Sequence, residues 1–139
     1  MHGTINISDA AVIALHAAGY LGAGGTAPKP AMEIASALGV SYNHLSKVLQ
    51  RLTRAGLVKP ARGPKGGFAL SQAGRAGRLR DFVYAIDGPL EPRDCLLKRR
   101  VCGKGGCLFG GFLAETNRRF EAVLEMKAAG AALKVNKRG

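Results

Sequence analysis

Acidic residues are scarce in this chain. Nine Asp and Glu stand against 21 Lys and Arg among 139 residues, a formal net charge of +12. A surface with so few carboxylates offers no acidic docking face and draws a polyanion instead, nucleic acid ahead of a membrane surface. Charge alone is equally compatible with a merely soluble basic surface. Long apolar runs are missing too. The nearest approach, the alanine-, leucine- and glycine-rich stretch from Ala10 to Gly25, is too short to cross a bilayer, is broken up by Asp9 and His16, and lacks a basic leading segment. The expectation is a cytoplasmic chain with no membrane partner. Cysteines number only three, an odd count that leaves no fully paired disulfide framework and suits a reducing compartment. There is no Cys-x-x-Cys, no cofactor fingerprint and no internal repeat, so nothing marks an enzyme. The apolar fraction of 47% is still enough for one packed core.

The three cysteines that are present, Cys95, Cys102 and Cys107, fall within thirteen residues among glycines and basic side chains. Thiolates are the ligands of soft metals and iron-sulfur clusters, and a glycine-rich loop lets several converge on one centre. The spacing C-x6-C-x4-C matches neither a ferredoxin run nor a two-pair zinc site. Three thiolates leave a cluster one ligand short, which a carboxylate, an imidazole, a small molecule or water would supply. Asp9 is one candidate, although a carboxylate in a first helical turn also simply stabilises the helix N-terminus. His16, two turns further on, is the other, although its neighbours Leu15 and Ala17 suit a plain buried histidine. His44 is better read as facing DNA, and His2 as part of a loose terminus.

Hydrophobic periodicity organises the rest. A first helix is expected from Ser8 to Leu21, with Ser8 as N-cap, Asp9 in the first turn, and Ile7, Ala11, Val12, Leu15, Ala18 and Leu21 facing inward. A short helix from Ala31 to Leu38 ends at Gly39. Ser41 then caps a helix from Tyr42 to Ala55 that buries Leu45, Val48, Leu49 and Leu52 and exposes Asn43, His44, Ser46, Lys47, Gln50, Arg51 and Arg54. Two short helices joined by a glycine turn, the second polar and basic outside, read as a helix-turn-helix. Leu57 and Val58 begin a strand, residues 62–67 turn, and Phe68 to Leu70 return, making a wing tipped by Arg62 and Lys65. A linker carrying Arg75, Arg78 and Arg80 leads to a helix from Leu79 to Ile86. The cysteine loop follows, and then a helix from about Phe109 or Phe112 toward Leu133 with Phe112, Leu113, Phe120, Val123, Leu124 and Met126 on its apolar side. A helix of roughly twenty residues after a compact domain has little chain left to cover that face, so pairing with a second copy as a two-fold homodimer is expected. The fold class is mainly α with a small β-hairpin wing. Residues 1–88 form a winged helix-turn-helix domain, 89–107 a cysteine-rich loop, and 108–139 a dimerisation helix with a basic tail.

Leu45 to Val58 followed by Arg62-Gly63-Pro64-Lys65-Gly66-Gly67-Phe68, the helix end Ala85-Ile86-Asp87-Gly88, and three cysteines before a long helix resemble the Rrf-type family of bacterial iron-sulfur winged-helix regulators that includes IscR and NsrR. The resemblance spans about Ile7 to Val135. It implies a homodimer on partly palindromic, double-stranded operator DNA, with an iron-sulfur cluster, [2Fe-2S] or [4Fe-4S], held by Cys95, Cys102 and Cys107. Arg62 matches the wing arginine that enters the minor groove. Ser41, Asn43, Ser46 and Lys47 match base-reading and phosphate-contacting positions, and Asp9 matches a carboxylate that nitric-oxide-sensing relatives supply from the opposite subunit. The DNA-binding residues expected of the chain are Ser41, Asn43, His44, Ser46, Lys47, Arg51, Arg62 and Lys65, with Asp9 a metal ligand from the partner subunit. Two departures stand out: Ser46 replaces an acidic residue of some relatives, and the middle cysteine is shifted by one from the C-x5-C-x5-C of others. The implied function is a transcriptional regulator, a repressor first, whose operator affinity follows nitric oxide, redox state or cluster supply. The alternatives are a cluster-free thiol- or zinc-dependent regulator of the same fold and an iron-sulfur electron-transfer protein.

Overall fold

Serine hydroxyls set where three of the helices begin. Ser8 Oγ accepts from Ala11 N at 3.1 Å, Ser41 Oγ from His44 N at 3.1 Å, and Ser71 Oγ from Gly74 N at 2.9 Å, satisfying amides that have no helical acceptor. In the computed structural model, which describes residues 5–91, 93–97, 99–103 and 106–130, the elements are α1 (Asp9–Ala23), α2 (Ala31–Leu38), α3 (Tyr42–Arg54), β1 (Val58–Ala61), β2 (Gly67–Leu70), α4 (Gln72–Ala76), α5 (Leu79–Asp87) and α6 (Gly110–Leu124), closed by a 3-10 turn at Ala128–Gly130.

Helix α1 is the centre of the packing: α2, α3, α5, β2 and the final 3-10 turn all lie against it. It therefore buries most of its circumference, through Ala11, Ile13, Ala14, Ala17, Ala18 and Leu21, while Val12 is exposed and Leu15 half-buried. The expected stripe through Val12 and Leu15 is displaced because alanines on several sides let neighbouring elements approach closely. At Gly22 even a Cβ would stand 2.8 Å from the Ala128 carbonyl oxygen.

Helix α2 stops at Gly39, whose φ of 67° is the left-handed conformation, with Val40 N bonded back to Ala35 O at 3.1 Å. Helix α3 buries Leu45, Val48, Leu49 and Leu52, the four positions its periodicity predicts. Strands β1 and β2 pair antiparallel in the register Val58↔Leu70, Lys59↔Ala69, Pro60↔Phe68 and Ala61↔Gly67. On the other side of β2, Lys29 and Phe68 exchange both backbone hydrogen bonds at 2.8 Å, so the loop before α2 supplies a third edge to the wing.

Two parts differ from expectation. The linker after the wing contains the short helix α4, with Gly74 so tight under Leu57 that a Cβ would lie 2.0 Å from the Leu57 carbonyl oxygen. Helix α6 has 15 residues and ends at Leu124, short of the expected length. There Leu79 N bonds Met126 O at 2.9 Å and Ala128 N bonds Gly77 O at 3.0 Å, folding the chain back so that Ala128 is buried against α1. Arg78 and Arg80 both pair with the Glu125 carboxylate and hold that return in place. Leu133 and the basic tail lie outside the described residues. Among the described residues, no helix is long and apolar enough to cross a membrane.

Candidate DNA-reading face and cysteine loop

The polar side of α3 and the tip of the hairpin present the candidate DNA-reading residues. Asn43 and Lys47 are exposed, and His44 and Ser46 are half-buried beside them. Ser41 is exposed but already committed as the N-cap, so its hydroxyl and the first amides of α3 sit at the positive end of the helix dipole. Arg62 and Lys65 are exposed on the wing turn, where Gly63 takes a φ of 100° and Gly66 N bonds Gly63 O at 2.9 Å. Gly67 is obligatory on packing grounds as well, because a Cβ there would lie 2.2 Å from the Lys29 carbonyl oxygen.

Arg51 is exposed, as its helix position predicts, and it also carries a bond within the chain. Its Nη2 donates to the carbonyl oxygen of Ile86 in the last turn of α5. No local signal foretells this bond, nor the pairing of Lys29 with the wing, since each joins residues far apart in sequence.

The three thiols are free, Cys95 and Cys107 half-buried and Cys102 exposed. The Cys102 thiol is pushed above its ordinary range, chiefly by the charge of Cys107 and then by desolvation. Cys95 acts in the same direction, and Arg100 opposes. Among the described residues, no three His, Cys, Asp or Glu side chains stand together at metal-binding distance. Within the loop Arg100 pairs with Asp94 at 3.0 Å, and toward its ends Asn117 Nδ2 of α6 donates to Arg93 O at 2.9 Å and Gly110 N bonds Cys107 O at 3.1 Å. Between the loop and the start of α1 lies a cavity of ≈ 680 Å³, lined by Cys95, Leu97 and Arg100 on one side and by Ser8 and Asp87 on the other.

Asp9 sits beside Ser8 in the first turn of α1, exposed, and among the described residues its carboxylate takes no hydrogen bond. It does not line that cavity of its own chain. His16 is exposed rather than buried, with Nδ1–H donating to the Val12 carbonyl at 2.7 Å. His2 lies outside the described residues.

A helix pair turning at a left-handed glycine, followed by an antiparallel hairpin with a basic tip, defines a winged helix-turn-helix protein of the DNA-binding class. The chain belongs to the Rrf2 family, described as iron-dependent transcriptional regulators, whose family model matches residues 7–128. It is 31% identical over 101 residues to the HTH-type transcriptional repressor NsrR of Streptomyces coelicolor, covering 73% of this chain and 68% of that protein. It is 32% identical over 85 residues to the HTH-type transcriptional regulator IscR of Klebsiella pneumoniae, covering 61% of this chain and 48% of that protein. The match thus spans about half the length of the IscR relative. The solved structure of T. potens IscR superposes with a TM-score of 0.61 at 23% identity, covering 90% of this chain and 84% of that one, and so shares the fold. The relatives are transcriptional regulators, not enzymes.

Proposed function

We propose that this protein is a homodimeric, operator-binding regulator whose DNA affinity is set by an iron-sulfur cluster, [2Fe-2S] or [4Fe-4S], held by the thiolates of Cys95, Cys102 and Cys107. The observation that carries this reading is the position of the cysteine loop. It runs from the end of α5 in the winged-helix part to the start of α6 and carries all three free cysteines of the chain. The donor set fits the group, because three soft thiolates with no disulfide between them are what iron and sulfide select. A cluster held by Cys95, Cys102 and Cys107 would supply a centre that reacts with nitric oxide or oxidants.

The chain's own residues do the rest. Asn43, His44, Ser46 and Lys47 on α3, with Ser41 at its cap, read bases and phosphates in the major groove, while Arg62 enters the minor groove and Lys65 lies along the backbone. Residues 1–88 read DNA, 89–107 hold the cluster, and 108–139 carry the dimer contact. Phe112 and Val123 support that contact: they are exposed on α6 and, about three turns apart, share one face. Asp9 of the partner subunit completes the ligand set. Its exposed carboxylate, free of hydrogen bonds among the described residues and absent from the cavity of its own chain, supports a role toward a second chain.

A second reading is favoured by one observation. Cys102 and Cys107 are free thiols near enough for the charge of Cys107 to raise the Cys102 thiol, and two neighbouring thiols are also the starting point for an oxidation switch without iron. Anaerobic purification with visible spectroscopy and iron counting separates the two. A brown protein whose operator affinity changes on cluster loss, and whose colour is lost in Cys107→Ala, supports the cluster reading. A colourless protein whose affinity follows oxidation of Cys102 and Cys107 supports the thiol reading. Asp9→Ala with an unchanged spectrum and unchanged cluster lifetime would remove the carboxylate.

A further inference from the structure

We infer that the last turn of α5, Ile86-Asp87-Gly88, is the junction through which the cysteine loop is coupled to the recognition helix, and that Arg51 is a positioning residue there rather than a phosphate contact. The inference rests on the reading above that the state of the loop alters operator affinity.

Three connections meet within those three residues. Arg51 Nη2 of α3 donates to the Ile86 carbonyl, one of the acceptors that a helix C-terminus leaves without a partner, where a cation is also favoured by the helix dipole. The Asp87 carboxylate receives Ser8 N–H at 2.7 Å and the Ser8 hydroxyl at 2.5 Å, while Ser8 Oγ itself accepts from Ala11 N as the cap of α1. Gly88 then turns the chain into the loop with a φ of 76°, its N–H bonded to Tyr84 O at 2.9 Å. The residues that follow, Pro89 and Leu90, share the cavity wall with Cys95.

A rearrangement of the loop therefore acts on a pivot that favours glycine, and the two residues just before it, Ile86 and Asp87, are bonded to two other elements at once. One is the start of α1, beside Asp9. The other is the last turn of α3. A recognition helix enters the groove with its N-terminal residues. Held at Arg51, α3 has its reading residue Asn43 roughly 12 Å away along the axis, so a small tilt at the junction becomes a larger displacement at the base edges. Arg51 is exposed, but with its guanidinium committed to the Ile86 carbonyl it cannot reach out to neutralise a phosphate without breaking that link.

Arg51→Met keeps the long apolar stem and removes the donor. Operator affinity is measured for cluster-loaded and cluster-free protein over a range of salt concentrations. The ratio of the two affinities is expected to fall about fivefold or more. The salt slope of the cluster-free protein and the iron content are expected to stay at the wild-type values. An unchanged ratio with a salt slope lowered by about one identifies Arg51 as a phosphate contact and overturns the proposal. Ser8→Ala, a milder change at the surface, loosens the same junction from the α1 side and carries the test if Arg51→Met does not fold. Full switching in Ser8→Ala, with the wild-type ratio, counts equally against the junction. Wild-type protein whose two forms bind alike removes the cluster switch and the junction together, whereas a switching wild type with switching variants removes the junction alone.

Discussion

In the winged-helix part of the molecule Leu45, Leu49, Leu52 and Phe82 are fully buried, whereas in the segment from the cysteine loop into α6 Val101 and Leu108 leave 69% and 91% of their surfaces exposed. Burial of one such side chain contributes about 1.5–3 kcal/mol; the first region buries most of its large apolar residues in this way, whereas in the second Leu113 and Leu124 are buried but Val101, Leu108, Phe109 and Phe112 are left exposed. The first is also closed at its polar ends, by serine caps and by backbone pairing of Lys29 with the wing. Among the described residues, the side-chain bonds of the loop are Arg100 with Asp94 and Asn117 with the Arg93 carbonyl. A region that closes on itself presents a fixed surface to DNA. A region that closes less on itself leaves apolar and thiol side chains open to a ligand or a second chain.

The largest expected effect falls in the closed region. Phe82→Ala should lower unfolding free energy by about 3–5 kcal/mol, read as a shift of the urea midpoint with operator binding lost in step. A much smaller loss would mean that α5 is not part of one cooperative core with α1 and α3. Arg62→Ala should leave that midpoint where it is and weaken operator binding by about 1–3 kcal/mol, with relaxed preference at the base pairs under the wing. Loss of stability instead would make the wing tip part of the core. The smallest effect belongs to the open region: Leu108→Ala should change stability by less than about 0.5 kcal/mol in dilute protein. A larger loss that depends on protein concentration would show Leu108 to be covered by a second copy and would erase the contrast.

The elements that sequence alone made legible are those whose cause is local. Ser8 and Ser41 as caps, Gly39 as a left-handed stop, the Leu45, Val48, Leu49 and Leu52 stripe, and the glycine-rich turn between β1 and β2 all depend on residues within a few positions of one another. Helix α4 escaped because Gln72-Ala73-Gly74-Arg75-Ala76 is too short and too glycine-weakened to signal a helix, and exists under the packing of Leu57. The end of α6 escaped for a related reason. Ala128 and Ala129 continue a helical composition past Leu124, but the backbone of Gly77 and Leu79 binds Met126 and Ala128 first. In the candidate site, the three cysteines, Arg62, Lys65 and the polar face of α3 were legible from residue type and spacing. The partner of Arg51 was not, because Ile86 lies 35 residues away.

Composition and periodicity therefore determined a basic, mainly helical chain with a winged helix-turn-helix and a thiol-bearing loop ahead of a final helix, since charge, caps and hydrophobic spacing act over one or two turns of chain. Tertiary structure alone decided which face of α1 is buried, where α6 ends, and that Ser8 and Arg51 both anchor at the end of α5. Those outcomes come from hydrogen bonds and close contacts between residues up to 79 positions apart, whose pairing depends on how the helices stack and leaves no mark in local spacing.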